Sequence, residues 1–292
     1  MQSQCVFRRI ALLVAGLIFV SSSAFSFQAK KGNRVQSTDP ALRLKGIEQM
    51  QEMKKKSPFK DLKWQFAGPT NVGGRCVDIA VVTPKGKNYS IYIASASGGM
   101  WKTENEGTTW DPVFDQAAST SFGDIAVAPS DQNIVWAGTG EANIFRSSQA
   151  GCGVFKSTDA GKTWQHMGLA DTYTTSRIIV HPKNPDVVYV ATTGHEWTNN
   201  EERGVYKTTD GGKTWQKILF VNDQTGAIDL VMDPNDSEIL YAATWQRIRL
   251  KWNDPRNNPD YTGSGIHRTL DGGKTWKKIN NGLPEAKFRG RI

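Results

Sequence analysis

Four carboxylate side chains lie in parts of the chain where acid–base chemistry could use them: Asp78, Asp124, Glu141 and Glu196. Glycoside hydrolysis normally needs two carboxyl groups flanking the scissile bond, one as the acid and one as the base or nucleophile. These four residues are therefore the candidate catalytic residues. The sequence does not show which two of them converge.

The same parts of the chain carry residues suited to binding a polar or sugar ligand. Arginine pairs with anionic groups, and the large indole ring of tryptophan can stack on a sugar ring. The structural alternative is that the arginines form salt bridges with neighbouring acids and the tryptophans seal packed sheets. The candidate ligand-binding residues are Arg75, Arg177, His195, Trp197, Asp229, Trp245 and Arg247.

No residue pattern indicates a metal or a cofactor. His195 lies in the stretch Gly-His-Glu-Trp, but no second histidine follows at ligand spacing. A structural loop histidine is therefore the better interpretation. Cys76 and Cys152 also lack zinc-ligand spacing, and whether they pair cannot be read from the sequence.

A repeat that begins near Trp64 must position these side chains. The nine residues KTTDGGKTW (207–215) recur as KSTDAGKTW (156–164), RTLDGGKTW (268–276) and, more weakly, KTENEGTTW (102–110). The tryptophans that end the copies are 54, 51 and 61 residues apart. Each copy follows a short apolar strand, a turn and a second β-rich run, and it spans a third strand, a tight turn and the start of a fourth. Four short strands per repeat indicate the blades of a β-propeller.

The nine-residue copies are interpreted as structural turns. An aspartate can accept hydrogen bonds from the backbone of its own turn, glycines allow positive φ, and the tryptophan can pack between blades. The copy at 102–110 has Asn105 and Glu106 in place of Asp and Gly, which a turn tolerates more easily than a catalytic acid would. The structural residues are Asn105, Trp110, Asp159, Gly161, Trp164, Asp210, Gly212, Trp215, Asp271, Gly273 and Trp276.

If the strands of each blade run from the centre outward, the candidates come to one face. The long loops between second and third strands, at 138–153, 192–203 and 244–263, hold Glu141, Asn143, His195, Glu196, Trp197, Trp245, Arg247, Arg249 and Trp252. The first strands begin on that face with Asp78, Asp124, Arg177, Asp229 and Arg291, and Arg75 lies just ahead. This ring of charges either binds a polar ligand or pairs internally in salt bridges.

The nine-residue pattern resembles the Asp-box, or bacterial neuraminidase repeat, of sialidases, xyloglucan-active glycoside hydrolases, sortilin-type Vps10 propellers and a photosystem II assembly factor. From about Trp64 onward, segments such as SGGMWKT, GDIAVAPS, GTGEAN and LFVNDQTGAIDLVMDP resemble the N-terminal part of large exported bacterial proteins of the glycosyl hydrolase or sortilin N-terminal-domain type. Those proteins are longer, so the resemblance implies a fragment of a larger propeller. It also implies that LKWQFAGP (62–69) acts as a closing strand for a last blade.

The family motifs of known enzymes do not carry over. By the xyloglucanase resemblance, Ala96 occupies the strand end that would hold a catalytic aspartate. The sialidase Arg-Ile-Pro motif is absent, although Arg75 and Arg177 could still form part of an anion site. The cysteine-rich module that follows sortilin propellers is also absent. A hydrolase function therefore rests on the fold alone, which does not establish a reaction.

The N-terminal segment 1–26 reads as a signal peptide. Arg8 and Arg9 precede an apolar run at 10–20, and small residues lead to a cleavage site after Ser26. Cleavage would lower the formal charge from +8 to +6. The basic residues within 30–63 are read as a solvated face, because no aromatic-and-basic pattern for nucleic-acid binding accompanies them.

These observations predict an all-β Asp-box propeller of about four four-stranded antiparallel blades with a short N-terminal helix. The expected parts are a signal peptide (1–26), a linker and amphipathic helix (27–63, the helix from Pro40 to about Lys56) and a partial propeller (64–292) with boxes near 103–110, 157–164, 208–215 and 269–276.

The predicted function is a periplasmic or extracellular bacterial scaffold that binds a glycan or a protein or peptide. The alternative is a glycoside hydrolase that acts on polysaccharide through paired carboxylates. We expect no nucleic-acid partner and no membrane association after signal cleavage. An open propeller edge could pair with another chain.

Overall fold

The computed structural model describes residues 37–62, 75–82, 89–143, 148–249 and 262–284, which belong to one compact unit, Ser37–Ile292. The predicted signal peptide, Trp252, Arg291 and nearly all of the predicted closing strand lie outside the described residues. Within these ranges, no helix combines the length and the apolar character that a membrane crossing requires.

The predicted helix is present as α1 (Pro40–Lys56). The backbone N–H of Ala41 donates to Asp39 Oδ1 at 2.9 Å, which caps the helix in front of Pro40. Leu44 packs against the sheets, whereas Met53 is 73% exposed. The apolar side of the predicted amphipathic helix is thus only partly buried, and α1 is held by segments between strands, where Gln51 donates to the Gln116 carbonyl at 2.9 Å.

Sixteen strands of the described residues form four antiparallel sheets, each with its strands in chain order, as predicted. Blade 1 contains β1 (Cys76–Val82), β2 (Ser90–Ser95), β3 (Met100–Thr103) and β4 (Asp111–Pro112). Blade 2 contains β5 (Phe122–Ala128), β6 (Asp131–Thr139), β7 (Val154–Ser157) and β8 (Gln165–His166). Blade 3 contains β9 (Thr175–Val180), β10 (Val188–Thr192), β11 (Gly204–Thr208) and β12 (Gln216–Leu219). Blade 4 contains β13 (Thr225–Met232), β14 (Leu240–Gln246), β15 (Gly265–Thr269) and β16 (Lys277–Lys278).

Consecutive blades pack face to face over apolar cores. Between blades 1 and 2, Phe114 contacts Phe122 and Phe155 edge-on, with ring centroids 4.9 and 5.1 Å apart. Between blades 2 and 3, Trp136 meets Trp215 edge-on at 6.0 Å. Such T-shaped pairs add to the stabilisation from buried apolar area. The core between blades 3 and 4 is built in the same way from aliphatic residues and two rings: Tyr189, Ala191, Val205, Leu230, Leu240 and Trp276.

The nine-residue turns join the third and fourth strand of each blade. In blade 2, Asp159 accepts from the Thr163 backbone N–H at 2.8 Å and from the Thr163 hydroxyl at 2.6 Å. These bonds, the hydroxyl first, lower the pKa of Asp159 to about 2, and equivalent bonds lower the pKa of Asp210 and Asp271. In blade 1, Asn105 makes the same contacts by accepting with Oδ1 and donating with Nδ2. These contacts support the interpretation of the repeat as a structural turn.

Candidate functional site

The first strand of every blade contains a β-bulge in its N-terminal half. The bulges leave Val77, Gly123, Ser176 and Ile228 outside the pairing register, each one residue before a charged position. A bulge re-aims the side chains beside it. In all four blades, the predicted inner-strand charge therefore lies directly after a bulge. These charged residues are Asp78, Asp124, Arg177 and Asp229.

Arg177 joins these charges into one cluster. It donates to Asp124 Oδ1 at 3.0 Å and to Asp229 Oδ1 at 2.9 Å, and its Nη1 lies 4.0 Å from Asp78 Oδ1. Burial raises the pKa of Asp124, and the charge of Arg177 opposes that rise. Asp124 Oδ2 also accepts from the backbone of Ile178 at 2.6 Å. Of the two alternatives that the sequence leaves open, this geometry favours internal salt bridges over a ring of charges that face a ligand.

Glu141 is held in a second, separate ion pair. Its side chain is fully buried, and Arg75 donates from Nε at 2.9 Å and from Nη2 at 2.6 Å to its two oxygens. The Glu141 backbone forms a parallel bridge with Thr175 of blade 3. Glu141 thus lies where blades 2 and 3 meet, with both carboxylate oxygens occupied by one guanidinium group.

Glu196 forms the third ion pair, on the loop after β10. Arg249 Nη1 donates to Glu196 Oε1 at 2.9 Å, and the Arg249 backbone donates to the Glu196 carbonyl at 2.7 Å. Burial raises the pKa of Glu196, the charges of Arg247 and Arg249 lower it, and the charge of Glu141 raises it. Two predicted carboxylates, Glu141 and Glu196, are thus electrostatic neighbours, although each is paired with a different arginine.

Arg203 stabilises the loop that carries Glu196 through hydrogen bonds to its backbone. The sequence did not indicate this role. Arg203 is fully buried and donates to the carbonyls of His195 (2.8 Å), Asn200 (3.0 Å) and Thr198 (3.2 Å). Burial, followed by the charge of Arg247, lowers the pKa of Arg203 to about 9. An arginine after a loop is common in any sequence, so no local signal could have identified this role.

His195 is held by contacts within and next to the same loop. Its Nε2 lies 3.1 Å from Asp171 Oδ1, its Nδ1 lies 2.8 Å from Thr198 Oγ1, and its ring packs on Tyr173 at 4.8 Å. Within the ranges that the structure describes, no group of three or more His, Cys, Asp or Glu could hold a metal ion. Cys76 and Cys152 are both free thiols.

The predicted tryptophans differ in exposure. Trp245 is buried at 3% exposure, with Arg247 over its ring at 5.5 Å, and Arg247 is itself buried and donates to Ala142 O and Thr193 Oγ1, both at 2.6 Å. Trp197 is 44% exposed, with the Arg249 guanidinium over its ring at 5.3 Å. Among the predicted tryptophans that the structure describes, Trp197 is therefore the one accessible to a ligand.

A residue from α1 also contacts this region. Arg43 donates to the Gly151 carbonyl and lies over the Tyr173 ring at 5.5 Å. The sequence places Arg43 on the helix, but nothing in the helical pattern distinguishes it from the other basic residues there.

The stacked four-stranded blades define a β-propeller. The Sortilin-Vps10 family model (sortilin, neurotensin receptor 3) matches residues 152–291, just under half of the chain. Xyloglucanase Xgh74A of Acetivibrio thermocellus is 26% identical over 212 residues, which cover 65% of this chain and 24% of the relative. A xyloglucanase of Hypocrea jecorina is 28% identical over 179 residues, covering 56% of this chain and 20% of the relative. The predicted resemblance to sortilin and glycosyl hydrolase propellers is confirmed.

Solved structures agree on the fold. An ancestral GH74 enzyme covers 72% of this chain with a TM-score of 0.51 at 20% identity, and 25% of its own chain is matched. The GH74 xyloglucanase from Xanthomonas campestris covers 73% of this chain with a TM-score of 0.50 at 14% identity, and 31% of its own chain is matched. The chain spans about a quarter of the length of the curated relatives named above.

Proposed function

We propose that this protein is an exported scaffold that binds a β-glucan of the xyloglucan class on the face that carries Trp197. The observation that carries the proposal is the exposed indole of Trp197, which has the guanidinium group of Arg249 over its ring. Arg249 is itself paired with Glu196. Sugar rings present apolar C–H faces that pack on an indole, while their hydroxyls bond to polar groups around it. The names of the curated relatives, which are xyloglucanases, support this ligand class. Export rests on the signal-like segment 1–26.

Binding is favoured over catalysis by the state of the carboxylates. A glycosidase needs one carboxyl group that can give a proton and another that can accept one or attack, both directed at the same glycosidic bond. Glu141, Glu196 and Asp124 are buried, and each accepts hydrogen bonds from its own arginine. Groups held in this way stabilise loops and are poorly placed to exchange protons with a substrate.

A glycoside hydrolase is the second candidate, and one observation favours it. Burial and the neighbouring charge of Glu141 both raise the pKa of Glu196, which is how a carboxylic acid is kept protonated for use as a general acid. The two glutamates would then act as the acid and its partner.

We expect Trp197→Ala to weaken xyloglucan-oligosaccharide binding by at least about tenfold, because a lost ring contact is worth about 1.5–3 kcal/mol. Calorimetric titration with a xyloglucan heptasaccharide measures this change. Phe220→Ala is the matched control, because Phe220 is also 44% exposed and has Lys217 over its ring at 5.1 Å. Equal losses in both variants, or no binding by the unmodified protein, would refute the proposal.

Reducing-end release from xyloglucan separates the two candidates. The scaffold predicts binding without release. Release that disappears in Glu196→Gln or Glu141→Gln, while the variants still bind, would establish a hydrolase and replace the scaffold proposal.

A further inference from the structure

The interface between consecutive blades contains a contact that repeats three times. In each case, a lysine on the third strand of one blade donates to a backbone carbonyl in the nine-residue turn of the next blade. The acceptor is the carbonyl of the residue that directly follows the Asp of that turn. The pairs are Lys102 with Ala160 O (3.1 Å), Lys156 with Gly211 O (3.2 Å) and Lys207 with Gly272 O (2.9 Å). The carbonyl residue has positive φ every time: 58°, 73° and 66°.

An aromatic residue on the second strand completes each contact. It is the cross-strand partner of the lysine, whose ammonium group lies 5.3 Å from Tyr92, 5.3 Å from Trp136 and 5.0 Å from Tyr189. Tyr92 also donates its hydroxyl to Ala160 O at 2.8 Å. The lysine, the ring and the carbonyl together form the latch between blades, stabilised by a hydrogen bond and a cation–π contact.

Blade 4 has residues at two of the three positions of a fourth latch, the ring and the cation. Tyr241 and Arg268 are cross-strand partners at the positions of the ring and the lysine, and both are half-buried. Val231, on the same face, is 55% exposed, whereas its counterparts Ala80, Ala126 and Ile179 pack against the following blade. This blade 4 face consists of Val231, Tyr241 and Arg268.

Blade 1 has a residue at the third position of the latch, the carbonyl acceptor. Glu106 occupies the carbonyl position of its turn with a φ of 58°, as Ala160 does in blade 2. Ile79 and Val81 are 55% and 56% exposed. The residues equivalent to Ile79 in the other blades, Ile125, Ile178 and Leu230, are at most 4% exposed because the preceding blade covers them. This blade 1 face consists of Ile79, Val81 and Glu106.

We propose that the blade 4 face binds the blade 1 face of a second copy of this chain. Charge complementarity supports a second copy as the occupant: the outer latch would set Arg268 against the Glu106 carboxylate, whereas the three internal turns have alanine or glycine there. The contact is head-to-tail, and two such contacts close two copies into a ring of eight blades, within the range known for propellers. This proposal is independent of the glycan ligand.

Sedimentation equilibrium of the full chain tests the proposal. We expect a species of twice the 32.3 kDa chain mass that dissociates on dilution. Arg268→Glu and Glu106→Arg should each weaken the dimer by at least about tenfold, because each places like charges across the contact. Lys213→Glu, the same charge change at an exposed turn lysine away from both faces, should leave the dimer unchanged.

Mixing the two charge-reversed variants provides a test that misfolding cannot imitate. In a mixed dimer, the glutamate introduced by Arg268→Glu faces the arginine introduced by Glu106→Arg at one contact of the ring. At the other contact, the unchanged Arg268 of one copy faces the unchanged Glu106 of the other, so both contacts join opposite charges. Native mass spectrometry should therefore detect more dimer in the mixture than in either variant alone. A monomeric unmodified chain at about 100 μM, or variants that form no more dimer when mixed, would overturn the proposal.

Discussion

Arg177→Met is expected to lower the free energy of unfolding by about 2 kcal/mol at pH 7, since a buried hydrogen-bonding group left without its partner costs about 1–3 kcal/mol. Asp124 is 2% exposed and depends on Arg177 for one of its side-chain bonds, and Asp229 loses its 2.9 Å contact. The measurement is urea unfolding followed by tryptophan fluorescence.

The same variant should show a distinctive pH dependence. Burial raises the pKa of Asp124 above its ordinary value, so the folded state binds that proton more tightly than the unfolded state does, and stability falls as pH rises through the folded-state pKa. Arg177 lowers that pKa, so its removal extends the fall to higher pH. The stability difference from the unmodified protein should therefore be larger at pH 9 than at pH 5.

A second substitution provides the control for this ion pair. Arg177→Met combined with Asp124→Asn removes the buried carboxyl group along with its partner. The double variant should recover about half of the stability lost at pH 9 and should not show the extra pH dependence. An Arg177→Met protein as stable as the parent at pH 9 would show that the cluster contributes nothing to the fold.

Gly123→Ala is expected to destabilise the protein by more than about 3 kcal/mol or to prevent folding. A Cβ at this position would lie 1.7 Å from the Thr175 carbonyl oxygen and 2.6 Å from the Gly140 carbonyl oxygen. Both are backbone atoms, so relief requires β5 and β9 to separate. That movement would also disturb Glu141, which bridges to Thr175. Thermal unfolding monitored by circular dichroism measures the effect.

Gly46→Ala is the matched comparison, because a Cβ at Gly46 meets no atom within 4 Å. Alanine favours the helix over glycine by up to about 1 kcal/mol, so this variant should be at least as stable as the parent. If Gly123→Ala folded with a melting temperature within about 2 °C of that of Gly46→Ala, close packing of the bulges would not be a determinant of stability.

The repeating units could be predicted because their signals are local. The turn around Asp210 is specified within a few residues: Asp210 bonds to Thr208 and Thr214, and Gly212 allows positive φ. Strand, turn and glycine signals of this kind recur in every unit, so the sequence by itself determined four-stranded blades and their number among the described residues. The start of α1 was equally local, because Asp39 and Pro40 cap it.

The chemical state of the candidate carboxylates was decided by the tertiary structure. Arg75 and Glu141 are 66 residues apart, and Arg249 and Glu196 are 53 apart, so no spacing rule links them. Exposure was decided in the same way. Trp197 lies in a loop and is 44% exposed, whereas Trp245, predicted to lie in a corresponding loop, belongs to β14 and is 3% exposed. Ion pairing and burial depend on which blades meet, and long-range packing sets that. The sequence therefore determined the scaffold, and only packing decided that its acids are bound to arginines and that Trp197 is exposed.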